Sequence, residues 1–226
     1  MRFQDAAKDA RAIVYAGIQA DPAVARMADI LVDASHGERV LARAVMNGET
    51  TEPADWRTMF PTLFAAGDAA RADAILDAAL DIARRGEQAR SQFRGAIVEA
   101  LTERLLARRV PPATVHRERR ILFDGVRAEI HPYDVTVELP DRAEAYDCKW
   151  GARGINEEVL LQLDSARTNA DAEEIRVLAA LVVFDARRSC RVRLAGLRPW
   201  PGVRLVALES LDALGRAKAP TPAVPS

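Results

Sequence analysis

The sequence predicts an α/β protein in which a layer of strands and helices follows a largely helical first half. Three observations carry that expectation. Residues 1 to about 109 are dominated by Ala, Leu, Ile and Arg, all good helix formers, with β-branched residues only scattered among them. After Pro112 the texture changes, and residues 126–139 and 143–150 alternate polar and apolar as half-buried strands do. Farther on, Ile175 to Phe184 is a mostly apolar run, as in a strand covered on both faces.

Taken in order, the helical half breaks at Asp21-Pro22, Asn47-Gly48, Glu52-Pro53, Phe60-Pro61 and near Gly86, each a helix start or stop signal. Ala72, Ile75, Leu76, Ala79, Ile82 and Ala83 recur at three- and four-residue spacing and mark one apolar face. A last helix over about 88–109 is stopped by Pro111-Pro112. Trp56, Met59, Phe60, Leu63 and Phe64 form the densest aromatic cluster here, suited either to the region's own core or to partner docking. Pro140-Asp141-Arg142 supplies turn chemistry between the two alternating runs, so they read as a hairpin. Helical spacing returns from Asn156 to about Ala170, a last strand is expected over Val203 to Leu208, and a short helix near Leu211 to Leu214. The expected organisation is a helical region over 1–88, a strand-bearing domain over 89–212, and a frayed, Pro- and Ala-rich tail over 213–226.

Composition removes several classes of function. The 226 residues carry 32 Lys plus Arg against 33 Asp plus Glu, a net charge of −1, so bulk charge does not hold this chain to nucleic acid, although a local basic groove can. Two cysteines and three histidines, without zinc-ligand spacing, exclude a zinc finger or zinc hydrolase and fit a reducing, cytoplasmic setting. No signal core or membrane-spanning run is present. The phosphate-binding loop, the dinucleotide fingerprint and the Gly-X-Ser-X-Gly elbow are likewise missing.

Chemistry concentrates at Tyr146-Asp147-Cys148-Lys149-Trp150. Strand alternation places Asp147 and Lys149 on one face, and Asp134, Thr136 and Glu138 share a face of the preceding strand, so the hairpin can set Asp134 beside Asp147 and Lys149. Two converging carboxylates repel unless a cation lies between them, and oxygen ligands without His or Cys favour magnesium or manganese. A neighbouring ammonium can orient water or stabilise charge on phosphorus, which suits phosphodiester hydrolysis. The bland account of the same residues is a solvated strand face with a cross-strand ion pair.

These residues resemble the PD-(D/E)XK nuclease superfamily, in which an acid on one core strand precedes an Asp/Glu-X-Lys on the next. Asp134 matches the first acid and Asp147-Cys148-Lys149 the second element, within a resemblance spanning about residues 90–210. It implies a restriction-endonuclease-like αβββαβ core with a mixed sheet flanked by helices, preceded by an all-helical region. It also implies a metal-dependent nuclease, with DNA a more fitting partner than RNA, in defence, restriction or repair, working as a homodimer or directed by a partner. Magnesium or manganese would be held by Asp134, Asp147, the Cys148 carbonyl and Glu99, the last on a segment, Arg94 to Glu99, similar to the family's first helix. Lys149 would serve the attacking water, and Gln162, on a stripe with Ile155, Val159 and Ala166, would face the site. The first motif reads His131-Pro132-Tyr133-Asp134, which leaves Glu129 and Glu138 as rivals for the first acid. Arg120, Arg153 and Arg167 are the expected phosphate contacts, with Arg117 and Arg119 ahead of the first strand, because a planar guanidinium binds oxyanions in a bidentate way. Trp150 is expected to pack in the core. The alternative reading is a catalytically inactive nuclease fold kept as a scaffold or binding subunit.

Overall fold

The computed structural model describes residues 1–6, 10–65, 69–126 and 131–216, the side chains of 10–13 aside. A six-stranded mixed sheet in the order β1-β2-β3-β4-β5-β6 lies between two helical layers. The strands are β1 (Arg2–Asp5), β2 (Val115–Leu122), β3 (Tyr133–Leu139), β4 (Arg142–Lys149), β5 (Arg176–Val183) and β6 (Val203–Ala207). The first four strands pair antiparallel, while β4, β5 and β6 run parallel.

Among the described residues, seven helices precede β2: α1 (Ala10–Gln19), α2 (Pro22–Val32), α3 (His36–Asn47), α4 (Pro53–Met59), α5 (Pro61–Ala65), α6 (Ala70–Ala83) and α7 (Glu87–Leu106). The predicted breaks are real caps. Asp21 accepts the Ala23 N–H at 2.8 Å with Pro22 in the first turn, and at a start not marked among those breaks Ser35 and Glu38 close a reciprocal capping box. The long helix α7 is buried on most sides, for Ala96, Ile97, Val98, Ala100 and Leu101 are all inaccessible or nearly so. Its apolar residues join Leu31, Leu41 and Ile75 in front to Val135, Val137, Tyr146 and Val182 on the sheet in one continuous core. The expected boundary at residue 88 therefore falls inside a shared core. In the aromatic cluster, Trp56 is buried, Phe60, Leu63 and Phe64 pack against the core, and Met59 is exposed.

On the opposite face α8 (Glu157–Ala172) and α9 (Arg187–Ala195) cover a second core of Ile121, Tyr133, Ala145, Leu163, Leu181 and Cys190. The hairpin forms around the predicted turn, with Val135 opposite Tyr146 and Thr136 opposite Ala145. Asn156 caps α8 by accepting the Val159 N–H at 3.0 Å. A 3-10 turn over Leu208–Leu214 stands where the last short helix was expected. Among the described residues, no helix is long and apolar enough to cross a membrane.

Three expectations change. The first half is not all helical, because Arg2–Asp5 form an edge strand on β2. The segment of β2, expected to lie ahead of the first strand, is itself a sheet strand whose arginines find acids: Arg117 pairs with Glu103 on α7, and Arg119 with Glu138 and Asp5. The strand predicted from 126 begins at Tyr133 in the described residues, while 127–130, Glu129 included, and the tail from 217 lie outside them.

Asp134, Thr136 and Glu138 do not share one face. Tyr133 packs in the α8-side core and Val135 in the α7-side core, so the side-chain alternation slips by one residue at Asp134. β2 slips beside it at Glu118, whose φ of 53° is unusual for a residue other than glycine. The paired slips stand in adjacent strands, because Arg117 pairs with Val135 and Arg119 with Tyr133.

Candidate active site

The site lies where the hairpin strands part. Their register ends at Val135 and Tyr146; beyond it the Cys148 N–H donates to the Asp134 carboxylate Oδ2 at 2.6 Å, where a backbone acceptor would otherwise serve. The slips bring Asp134 and Glu118 to Glu99 of α7, and one carboxylate oxygen from each lies within 4.8 Å of the others. The Lys149 ammonium contacts Asp147 Oδ1 and stands 3.9 Å from Asp134 Oδ2. Asp134, Asp147, Lys149 and Glu99 thus converge as expected.

One residue is added. Among the described residues, the carboxylates close enough together to hold one cation are Glu99, Glu118 and Asp134, while Asp147 is engaged by Lys149. Glu118 is invisible to sequence reasoning because the Arg117-Glu118-Arg119-Arg120 run reads as solvated charge, and its left-handed backbone leaves no mark in the sequence. Tyr15 and Gln19 of α1 are also unforeseen. The Tyr15 hydroxyl donates to Glu99 Oε1 at 2.5 Å; the Gln19 amide donates to Glu99 Oε2 at 2.7 Å and to Glu118 Oε1 at 3.3 Å. Gly95 allows this approach, since a Cβ there would fall 2.9 Å from the Tyr15 hydroxyl.

Electrostatics agree with the geometry. Burial and the neighbouring Glu99 push the Glu118 carboxyl up to about 7. Burial raises Asp134 well above the ordinary carboxylate range, and Asp147 and Glu99 add to the shift. Glu99 is raised by burial despite the bonds from Tyr15 and Gln19, and Asp147 by burial despite Lys149. Burial opposes the charge on Lys149, but Asp134 and Asp147 outweigh it and raise the ammonium above its usual value. Four carboxylates thus gather around one lysine, an excess of negative charge suited to a hard cation.

A cavity of about 370 Å³ opens onto the site and is lined by Glu118, His131, Asp134, Asp147, Lys149 and Gln162. Gln162 faces it as expected, although its amide donates to the His131 carbonyl at 2.9 Å. Lys149 also lines a second cavity of about 820 Å³, whose wall includes Arg153. Arg120 sits on β2 opposite Gln4, away from both cavities, and Arg167 is paired with Asp164 at 3.2 Å and Asp171 at 2.8 Å on its own helix. Arg117 and Arg119 serve acids, and the rival first acid, Glu138, is held by Arg119. Trp150 stacks on Phe184 with ring centres 4.8 Å apart and donates to Asn47, in line with the packing role expected for it. The Cys148 thiol meets Thr102 on the α7 side, away from Lys149.

Comparison with known proteins adds little to this geometry. No family model matches the chain, and no curated protein does. Among solved structures it is similar to protein VC1899 from Vibrio cholerae, at 17% sequence identity and a TM-score of 0.47 over 86% of this chain and 55% of that one, so the chain spans about half of that protein's length.

Proposed function

We propose that the chain is a metal-dependent nuclease that hydrolyses phosphodiester bonds, DNA more than RNA, on a restriction-endonuclease-like core of the PD-(D/E)XK type. The observation that carries the reading is the trio of buried Glu99 with half-buried Glu118 and Asp134 beside the Lys149–Asp147 pair. The element order α7-β2-β3-β4-α8-β5 supports it.

Glu99, Glu118 and Asp134 would hold magnesium or manganese, with the Cys148 carbonyl as a further oxygen donor. When bound, the ion supplies Lewis acidity at the phosphoryl oxygen and lowers the pKa of a coordinated water. Lys149 remains an ammonium under its two carboxylates, so it donates to water or to a phosphoryl oxygen and does not remove a proton. Asp147 fixes the direction of that ammonium. Gln162, held by the His131 carbonyl, borders the cavity that the substrate enters.

One observation favours the scaffold alternative: both oxygens of Glu99 already accept hydrogen bonds from α1. Incubating the protein with labelled linear, circular and single-stranded DNA, with magnesium, manganese or chelator, separates the two readings. Cleavage that needs the ion and disappears in Lys149→Ala supports the nuclease; equal cleavage by variant and parent rejects it.

A further inference from the structure

We infer that the groove beyond Lys149, running past Arg153 to the arginine-rich α9, is the track for the nucleic-acid backbone on one side of the scissile phosphate. The inference rests on the nuclease reading and adds to it where the strand lies and which residues hold it.

Three cavities join end to end through shared walls. The acidic cavity meets the 820 Å³ one at Lys149. That cavity shares Ala152, Arg153 and Ser189 with a third of about 450 Å³, which Val192, Arg193 and Gly196 complete. The cavities therefore adjoin one another past the C-terminal ends of β4 and β5 and beside α9. In the middle cavity Arg43, Arg94, Lys149 and Arg153 outnumber Glu87 and Asp185.

Charge in this stretch departs from the rest of the chain. Between Asp185 and Glu209 there are six arginines and no acid. Many arginines elsewhere find carboxylates, as in Arg26 with Asp81, Arg57 with Asp73, Arg104 with Asp29 and Arg108 with Asp33. Arg153 and Arg193, which line the groove, are exposed, and neither has an ion pair among the described residues. Arg193 lines the third cavity and donates from Nε to the Ile155 carbonyl at 2.8 Å, which leaves its other nitrogens for a ligand. Unpaired guanidinium groups lining an open groove are the chemistry that recognises a chain of phosphates. The acidic cavity is also bordered by Asn156 and Glu158, neither of which offers a cation to a phosphate.

The test measures binding of a labelled single-stranded oligodeoxynucleotide in chelator across a salt series. Arg153→Glu and Arg193→Glu should each weaken binding about tenfold, and the salt slope should fall by about 0.7 for each phosphate that is no longer neutralised. Arg176→Glu, the same charge change at the other end of β5, should leave the affinity of the parent. The rise in melting temperature on adding manganese, which reads the acidic cavity rather than the groove, checks that each variant keeps its fold and its cation site. Unchanged affinity in Arg153→Glu and Arg193→Glu overturns the track and spares the nuclease. Absence of ion-dependent DNA cleavage by the parent overturns the nuclease, and the binding series then decides for or against the track alone.

Discussion

Asp134 accepts the backbone N–H of Cys148 at 2.6 Å while its carboxylate faces Glu99 and Glu118. One side chain therefore closes the open end of the hairpin and offers an oxygen to a cation. The two duties separate by substitution. Asp134→Asn keeps an acceptor for Cys148 and removes a like charge from the cluster, so its melting temperature should equal or exceed that of the parent while metal-dependent cleavage is lost. Asp134→Ala leaves a buried N–H unsatisfied and should be destabilised by about 1–3 kcal/mol, read by denaturant unfolding.

Glu118 should be as necessary as Asp134 although it stands outside the hairpin. Glu118→Gln should abolish cleavage with little change in fold. Glu138→Gln, at the rival acid held by Arg119, should retain most of it. Comparable losses in the two variants would remove Glu118 from the site.

A carboxylate whose pKa is raised in the folded chain binds its proton more tightly there than in the unfolded chain. Its contribution to stability is whole below the ordinary value and disappears as pH climbs through the folded one. For Glu118 the window runs from 4.5 to about 7, so the metal-free protein should lose stability as pH rises across it. A divalent ion replaces those protons, so magnesium should raise the melting temperature more at about pH 8 than at about pH 5. At a hundredfold excess over Kd the gain approaches about 2.7 kcal/mol. An identical response at both pH values would count against carboxylate ligands.

Lys149→Ala should lower kcat by about two to three orders of magnitude, the scale of losing one preorganised donor to a developing negative charge. Because Lys149 is kept protonated, the parent's rate should show no limb near neutral pH that disappears in Lys149→Arg. Such a limb would make the lysine a base.

Away from the site, Arg109 donates to Glu144, to Tyr146 at 3.0 Å and to the Leu214 carbonyl at 2.7 Å, tying the end of α7 to β4 and the last turn. Arg109→Met strands the buried Glu144 carboxylate and should destabilise the fold by about 3–5 kcal/mol, measured by urea unfolding. Magnesium affinity should not change in that variant.

The hairpin, α8 and β5 are legible in the sequence because period-two alternation, turn chemistry and an apolar run report local structure directly. Asp147 and Lys149 follow from the same alternation, whereas Asp134 reaches the site through a break in it, and the motif rather than the spacing marks it. β2 is not legible, since Arg117 and Arg119 enter the sheet only with Glu103 and Glu138 beside them, and those partners are distant in the chain. Glu118 is hidden for a further reason: its side chain is aimed by a break in alternation, whereas strand reasoning assumes alternation. α9 escapes because its arginines mask the one buried position, Cys190, that ties it to the core. Tyr15 lies on a helix whose approach to Glu99 is a matter of tertiary packing alone.

The donors from α1 to Glu99 bear on how the protein can be dissected. A fragment trimmed to begin at α7 would deprive Glu99 of Tyr15 and Gln19 and bare the flank of α7 that α2 and α6 now cover. Such a minimal version should be insoluble or inert whatever its sheet retains, and grafting the hairpin onto another scaffold should fail for the same reason.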